Sequence, residues 1–306
     1  MIFINFCFMC FIFGTTFLAI KIGIDSGLTP FFSGGVRFFL AGFFIFSFMI
    51  MRNKGLFQLL FRKELFFSGV GLTFGTFSTL YWAEQYVTSG IAAVLSATGP
   101  MMIIFIQRFL LRQKATLYSV FGCAIGIIGV LLLVQETLSM DMSTFWLAGC
   151  VAILIGEVCY AAGTIYTRKV TERYKEASPI ALNAVQMMYG GVLLLVLASF
   201  IEDIQISAFF QPESAGSLIY LIIAGSMIGH SLYYWLVSKT NPVFPSTWLY
   251  ISPIIALALG FFLYDEHFSI VTGLGAVTII FGIILINFQT LRNIFSARRS
   301  VVRNHM

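Results

Sequence analysis

The sequence predicts an all-α integral membrane protein of about ten transmembrane helices, arranged as two inverted five-helix repeats. Three observations predict it. Of its 306 residues 59% are apolar and 10% charged, and the mean hydropathy is +0.93, so too little polar surface remains to coat a soluble globule. Apolar windows of about 20 residues, the length that crosses a bilayer core, recur along the chain. Finally, the pattern Tyr81-Trp82, Pro100, Gly122 and Gly129 returns 153 positions later as Tyr234-Trp235, Pro253, Gly275 and Gly282.

The windows lie at 2–20, 31–51, 66–86, 90–111, 116–134, 145–167, 180–200, 217–237, 244–263 and 270–288. The first starts at Met1 but has neither a basic n-region nor a small-residue cleavage motif, so it reads as a retained helix. The repeats are placed at 1–135 and 143–289, followed by a basic tail at 290–306. All five cysteines fall in apolar stretches, and Cys7-x-x-Cys10 lacks a nearby His or further Cys, so neither a disulfide framework nor a metal site is expected. G-x-x-x-G spacings at Gly71/Gly75, Gly122/Gly126 and Gly225/Gly229 allow close helix approach.

Charge predicts orientation, because translocated short loops avoid Lys and Arg. One set of loops and the tail hold 15 of the 18 basic residues: Arg52, Lys54, Arg62, Lys63, Arg112, Lys114, Arg168, Lys169, Arg173, Lys175, Lys239, Arg292, Arg298, Arg299 and Arg303. The opposite set carries Asp25, Glu136, Asp141, Glu202, Asp203, Glu213, Asp265 and Glu266, with Lys21 the one base near them. Both termini are therefore expected in the cytoplasm. Topogenesis and anionic lipid explain the net charge of +5, and no nucleic-acid partner is expected.

Five spans per half force the second copy to enter from the other side of the membrane. Phe13-Gly14 through Lys21 matches Tyr160-Ala161 through Arg168, and Pro30 through Ala41 matches Pro179 through Gly190, which sets Arg37 opposite Gln186. Such symmetry lets two halves exchange conformations around a central cavity.

FGTTFLAIK at 13–21, the Pro30, Arg37, Ala41 pattern, YWAEQYVTSGIAAVLSATGP at 81–100 and YISPIIALALGFFLYDE at 250–266 resemble the EamA-type carriers of the drug/metabolite transporter superfamily. The resemblance covers nearly the whole chain. It implies a ten-helix inner-membrane protein that exports amino acids or related metabolites. One departure stands out: the fourth helix of the second half ends in Asp265-Glu266, as is usual for the family, where the first half has Arg112-Gln113.

Polar groups that membrane insertion penalises are the candidate site. Arg37, two turns into the second span, calls for a carboxylate, carbonyl oxygens or a bound anionic group. Glu84 sits near the end of the third span, within reach of Lys21 or Arg37. Glu157, thirteen residues into its helix from Thr144, lies around mid-membrane, where an isolated charge is costly, and is the proton-coupling candidate. His230 has similar depth and an imidazole whose unperturbed titration lies near neutrality. Tyr81 and Tyr234, repeated in both halves, are cavity-lining candidates. Pro100 and Pro253 each remove a helix hydrogen bond and are expected to act as paired kinks or gates.

No P-loop, H-E-x-x-H or G-x-S-x-G motif is present, so nothing in the chain points to direct ATP drive or to enzymatic catalysis. Proton-coupled export by alternating access is the expected activity. A passive facilitator, and a lipid flippase or membrane-embedded enzyme acting on a headgroup, are the alternatives. A small-molecule substrate and the bilayer are the expected partners, a homodimer is compatible with the pattern, and no cofactor is expected.

Overall fold

The computed structural model describes residues 1–113, 116–139, 144–240, 243–266, 269–286 and 288. Among these, every regular element is helical, and the helices form ten spans. Spans 1 and 2 are Ile2–Asp25 and Pro30–Arg52; span 5 is Leu117–Ser139, span 6 Thr144–Arg173, span 7 Pro179–Ile201 and span 10 Ile270–Ile286. The other four are composite. Span 3 runs from Lys63 to Ala83 and span 8 from Pro212 to Lys239, each with a π-helical middle. Span 4 is two half-helices, Ser89–Ser96 and Gly99–Phe109, and span 9 is Val243–Ser246 followed by Trp248–Tyr264.

The repeat seen in sequence reappears in backbone detail. Proline, whose missing N–H costs nothing in the first turn, opens spans 2, 7 and 8. Spans 4 and 9 stop at equivalent left-handed residues, Arg112 at φ 52° and Asp265 at φ 50°. Each stop is closed by a six-residue backward bond, from Gln113 N to Gln107 O at 2.9 Å and from Glu266 N to Gly260 O at 3.0 Å. The two stops thus share a geometry despite opposite charge. The π segments, Val70–Gly75 and Leu221–Ile228, also occupy equivalent places.

Packing crosses the repeat boundary. Span 2 lies along span 7, span 5 along span 10, span 1 along span 9, and span 3 along span 6. Glycine permits two of these approaches: a Cβ on Gly122 would fall 2.6 Å from Gly282 O, and one on Gly71 would fall 2.7 Å from the Cα of Gly163. All three G-x-x-x-G pairs pack against another span, with Gly126 facing Met101, Gly75 facing Cys159, and Gly225 and Gly229 facing Thr16 and Phe13.

The two prolines do not behave as a pair. Pro100 opens the second half-helix of span 4, just after the interruption at Ala97-Thr98, whereas Pro253 sits inside the continuous helix Trp248–Tyr264. The difference is where each span breaks: the Thr98 hydroxyl closes onto Leu95 O at 2.7 Å two residues before Pro100, and the Thr247 hydroxyl closes onto Phe244 O at 2.7 Å six residues before Pro253. Span 3 is likewise no single α-helix, because its middle widens into the π segment. The basic tail, Lys114 and Asp141 lie outside the described residues.

Candidate functional site

Arg37 is 2% exposed and reaches across the seam between the repeats. Its Nε donates to Ser226 Oγ at 2.9 Å and its Nη1 to the Tyr81 hydroxyl at 3.1 Å. The guanidinium also lies 4.7 Å from the Phe38 ring centroid and 5.6 Å from that of Phe77. Among the described residues no carboxylate is ion-paired with it. The expected counter-ion is therefore replaced by two neutral hydroxyls and two ring faces. Gly225 makes room, since a Cβ there would stand 3.2 Å from Nη2. Ser226 can reach the arginine because it sits on the π segment of span 8, where the widened turn redirects side chains.

The equivalent place in the other repeat holds a neutral version of the same bond. Thr73, on the π segment of span 3, donates to Gln186 Oε1 at 3.1 Å. Gln186 Nε2 donates to Asn183 Oδ1 at 2.9 Å, and the Tyr234 hydroxyl points to that oxygen at 3.5 Å. A hydroxyl on each π segment thus fastens the polar residue on the opposite repeat's second helix, charged in one half and uncharged in the other.

Glu157 is 5% exposed and lies near the midpoint of span 6. It faces the interruption of span 4, where a Cβ on Gly99 would come 2.5 Å from Glu157 Oε2 and 2.9 Å from the Tyr160 ring. Tyr160 interacts electrostatically with Tyr233, Glu157 and Tyr234. A small cavity of about 10 Å³, room for about one water, lies beside this break, lined by Phe17, Ala93, Ser96, Ala97, Trp248, Leu249, Ser252 and Pro253. The Ser96 hydroxyl interacts with Glu157, and among the described residues the Ser252 hydroxyl has no hydrogen-bond partner.

At the end carrying the acidic loops, repeat 2 is fastened to repeat 1 by carboxylates. Glu202 accepts from Phe31 N at 2.6 Å and Phe32 N at 2.9 Å, the free donors at the start of span 2. Glu266 accepts from Ser89 N at 2.7 Å and Gly90 N at 3.2 Å at the start of span 4, and the Tyr264 hydroxyl donates to Asp25 Oδ2 at 2.7 Å. Lys21 pairs with Asp25 at 3.0 Å and donates to the backbone oxygen of Glu84 at 2.9 Å. Glu84 itself is wholly buried, and its carboxyl pairs with neither Lys21 nor Arg37, contrary to expectation. His230, half-buried, packs edge-on against Phe13 with centroids 5.6 Å apart.

A model of the EamA-like transporter family matches residues 1–135 and 147–288. The chain belongs to the EamA-like transporter family. It is a multi-pass membrane transporter that handles a small-molecule substrate in a lipid bilayer. The uncharacterized inner membrane transporter YedA of Escherichia coli (strain K12) is 31% identical over 90% of this chain and 87% of its own. The uncharacterized transporter YoaV of Bacillus subtilis (strain 168) is 26% identical over 92% and 94%, and the protein PagO of Salmonella typhimurium 28% over 89% and 88%. A protein known from a crystal structure superposes with a TM-score of 0.65 over 94% of this chain and 97% of that one, at 16% identity, which speaks for the fold.

Within this EamA-like transporter the predicted residues fall into three places. Arg37 and Tyr81 are bonded, with His230 in electrostatic reach of Arg37. Glu157 lies with Tyr234 around Tyr160. Glu84 belongs to the acidic end. Ser226, Thr73, Tyr160 and Asn183 were missed, and the alignment of the halves contained a signal for the first two: Thr73 and Ser226 are both hydroxyl residues and lie 153 positions apart.

Proposed function

We propose that this transporter exports a small amphipathic metabolite bearing an anionic group, such as an amino acid, across the inner membrane by proton antiport with alternating access. One observation carries the reading: Arg37 is buried on the seam between the repeats with no carboxylate paired to it among the described residues. A buried charge that only neutral hydroxyls contact remains under-compensated, and an anionic solute group completes it. The repeats related by inversion supply the two conformations, and the acidic end faces outward with both termini in the cytoplasm. Glu157, beside the broken helix and the small cavity, carries the proton as solute leaves. Tyr81, Tyr234 and His230 line the path, and Glu84 closes its acidic end.

The test is efflux from proteoliposomes loaded with pooled amino acids and metabolites, with and without a pH gradient, comparing the wild type with Glu157→Gln. Gradient-driven loss of one solute that disappears in the variant is the expected result. Gradient-independent loss that survives the substitution would make the protein a facilitator, and absence of solute movement would turn attention to lipid substrates.

A further inference from the structure

We propose that Glu84 is a second proton-carrying residue, at the acidic end of the path, and that Lys21 displaces its proton by swinging from Asp25 onto the Glu84 carboxylate. The inference rests on the antiport reading above. Glu84 is 0% exposed, and among the described residues neither carboxyl oxygen has a hydrogen-bond partner. A desolvated carboxylate that accepts no hydrogen bond and forms no direct ion pair is disfavoured against its neutral acid. A proton on the group removes that cost.

The displacing group is already in place. Lys21 Nζ lies 2.9 Å from the backbone oxygen of Glu84 and 3.0 Å from Asp25 Oδ1. Its ammonium therefore touches the main chain of the residue whose side chain it leaves unpaired, and a rotamer change carries it across. Asp25 keeps a donor when the lysine departs, because the Tyr264 hydroxyl, arriving from span 9, bonds its other oxygen at 2.7 Å. The charged or titratable groups interacting with Glu84 are Lys21 and Asp25 of span 1, Arg37 of span 2, Tyr81 of span 3 and Glu266 beyond span 9.

The step balances simply. The Glu84 O–H bond breaks, its proton passes to water admitted as the path opens, and the resulting carboxylate pairs with the Lys21 ammonium. Reprotonation returns Lys21 to Asp25. The exchange also couples protonation to closure, since Asp25 is tied to Tyr264 and Glu266 to the start of span 4.

The experiment combines infrared spectroscopy with flux on purified, reconstituted wild type, Glu84→Gln, Glu84→Asp and Lys21→Met. The Gln side chain is isosteric with a protonated Glu, so folding is retained, and thermal unfolding checks this. The expected result is a carbonyl band of a protonated carboxyl in wild type that is missing in Glu84→Gln and persists to higher pH in Lys21→Met. Gradient stimulation of efflux is expected to vanish in Glu84→Gln and return in part in Glu84→Asp. A spectrum unchanged by Glu84→Gln overturns the proposal whatever the flux shows. So does stimulation by sodium with no protonated band. If the Glu84 band is present but wild-type efflux ignores the pH gradient, the antiport reading itself has failed, and Glu84 is a static neutral acid.

Discussion

Replacing Glu266 with Ala removes a carboxylate whose two oxygens hold the first two N–H groups of span 4, Ser89 N at 2.7 Å and Gly90 N at 3.2 Å. The third donor, Ile91 N, is taken by Thr88 Oγ1 at 3.4 Å, so the loss leaves two of three orphan donors open. Losing a helix cap costs about 0.5–2 kcal/mol, and losing a negative charge from a helix N-terminus a further 0.3–1 kcal/mol or so. Together that is about 1–3 kcal/mol. On the alternating-access proposal the bond joins the two repeats only while the acidic end is closed, so the loss falls on that state and shifts the closed–open balance by about 5–150-fold. The assay is labelling of Val87→Cys by a membrane-impermeant maleimide, in a background with the five native cysteines replaced. Val87 is 1% exposed beside this latch. Faster labelling in Glu266→Ala is expected, with Glu266→Gln in between. Equal rates in correctly folded protein would refute the idea that this carboxylate holds the acidic end shut.

Four further outcomes are expected. Gly163→Ala places a Cβ 2.8 Å from Leu72 N and 3.0 Å from the Gly71 carbonyl carbon, backbone that cannot yield, and overpacking of this kind costs about 1–3 kcal/mol, read as a lower Tm in detergent. Gly216→Ala meets nothing within 4 Å and lies within the helix Pro212–Tyr220, so it gains up to about 1 kcal/mol of helix propensity and keeps or raises Tm. Arg37→Lys keeps the charge but loses the fork that bonds Ser226 and Tyr81 together, and solute affinity measured by counterflow should fall about tenfold or more. Thr73→Val removes the neutral counterpart of that bond and strands Gln186 Oε1, costing about 1–3 kcal/mol of stability by thermal unfolding.

The spans were legible because bilayer thickness imposes a length that composition alone reports, and proline marked the starts of spans 2, 7 and 8. The inverted pairing of Arg37 with Gln186 was legible too, since internal repetition fixes equivalent positions without any knowledge of contacts. What joins the halves was not. Ser226 reaches Arg37 only because span 8 widens into a π segment, and no periodicity of a nearly uniform apolar stretch such as LIIAGSMI announces that turn. Nor could spacing show that the Arg37 charge finds hydroxyls instead of a carboxylate, or that the Glu84 carboxyl is bypassed by a lysine bonding the backbone of the same residue. Pro100 and Pro253 mislead for a related reason: both spans break at a threonine whose hydroxyl closes onto the preceding turn, but the break falls two residues before Pro100 and six before Pro253.

The acidic pair that the first repeat lacks gains a physical meaning from these contacts. The backbone stop at Arg112-Gln113 copies the one at Asp265-Glu266, so geometry does not require an acid there. Among the described residues, only the second copy places a carboxylate on the start of a helix in the other repeat, and Glu202 does the same for span 2. The Glu202 equivalent in the first repeat is Asn53, whose side chain instead turns back to accept from Gly55 N at 3.1 Å. The two halves therefore repeat in structure while their carboxylate caps on helix starts sit at one end, the opposite end being joined instead by the Arg173–Glu64 ion pair at 2.7 Å. Alternating access needs states within a few kcal/mol of each other, and carboxylates at one end tilt that balance without changing the fold. Because Glu202 and Glu266 cap different helices and share no partner, their effects should add. A Glu202→Gln/Glu266→Gln double variant should label at Val87→Cys faster than either single variant, by the product of the two ratios. A double variant no faster than the stronger single one would mean that the two caps open as one unit.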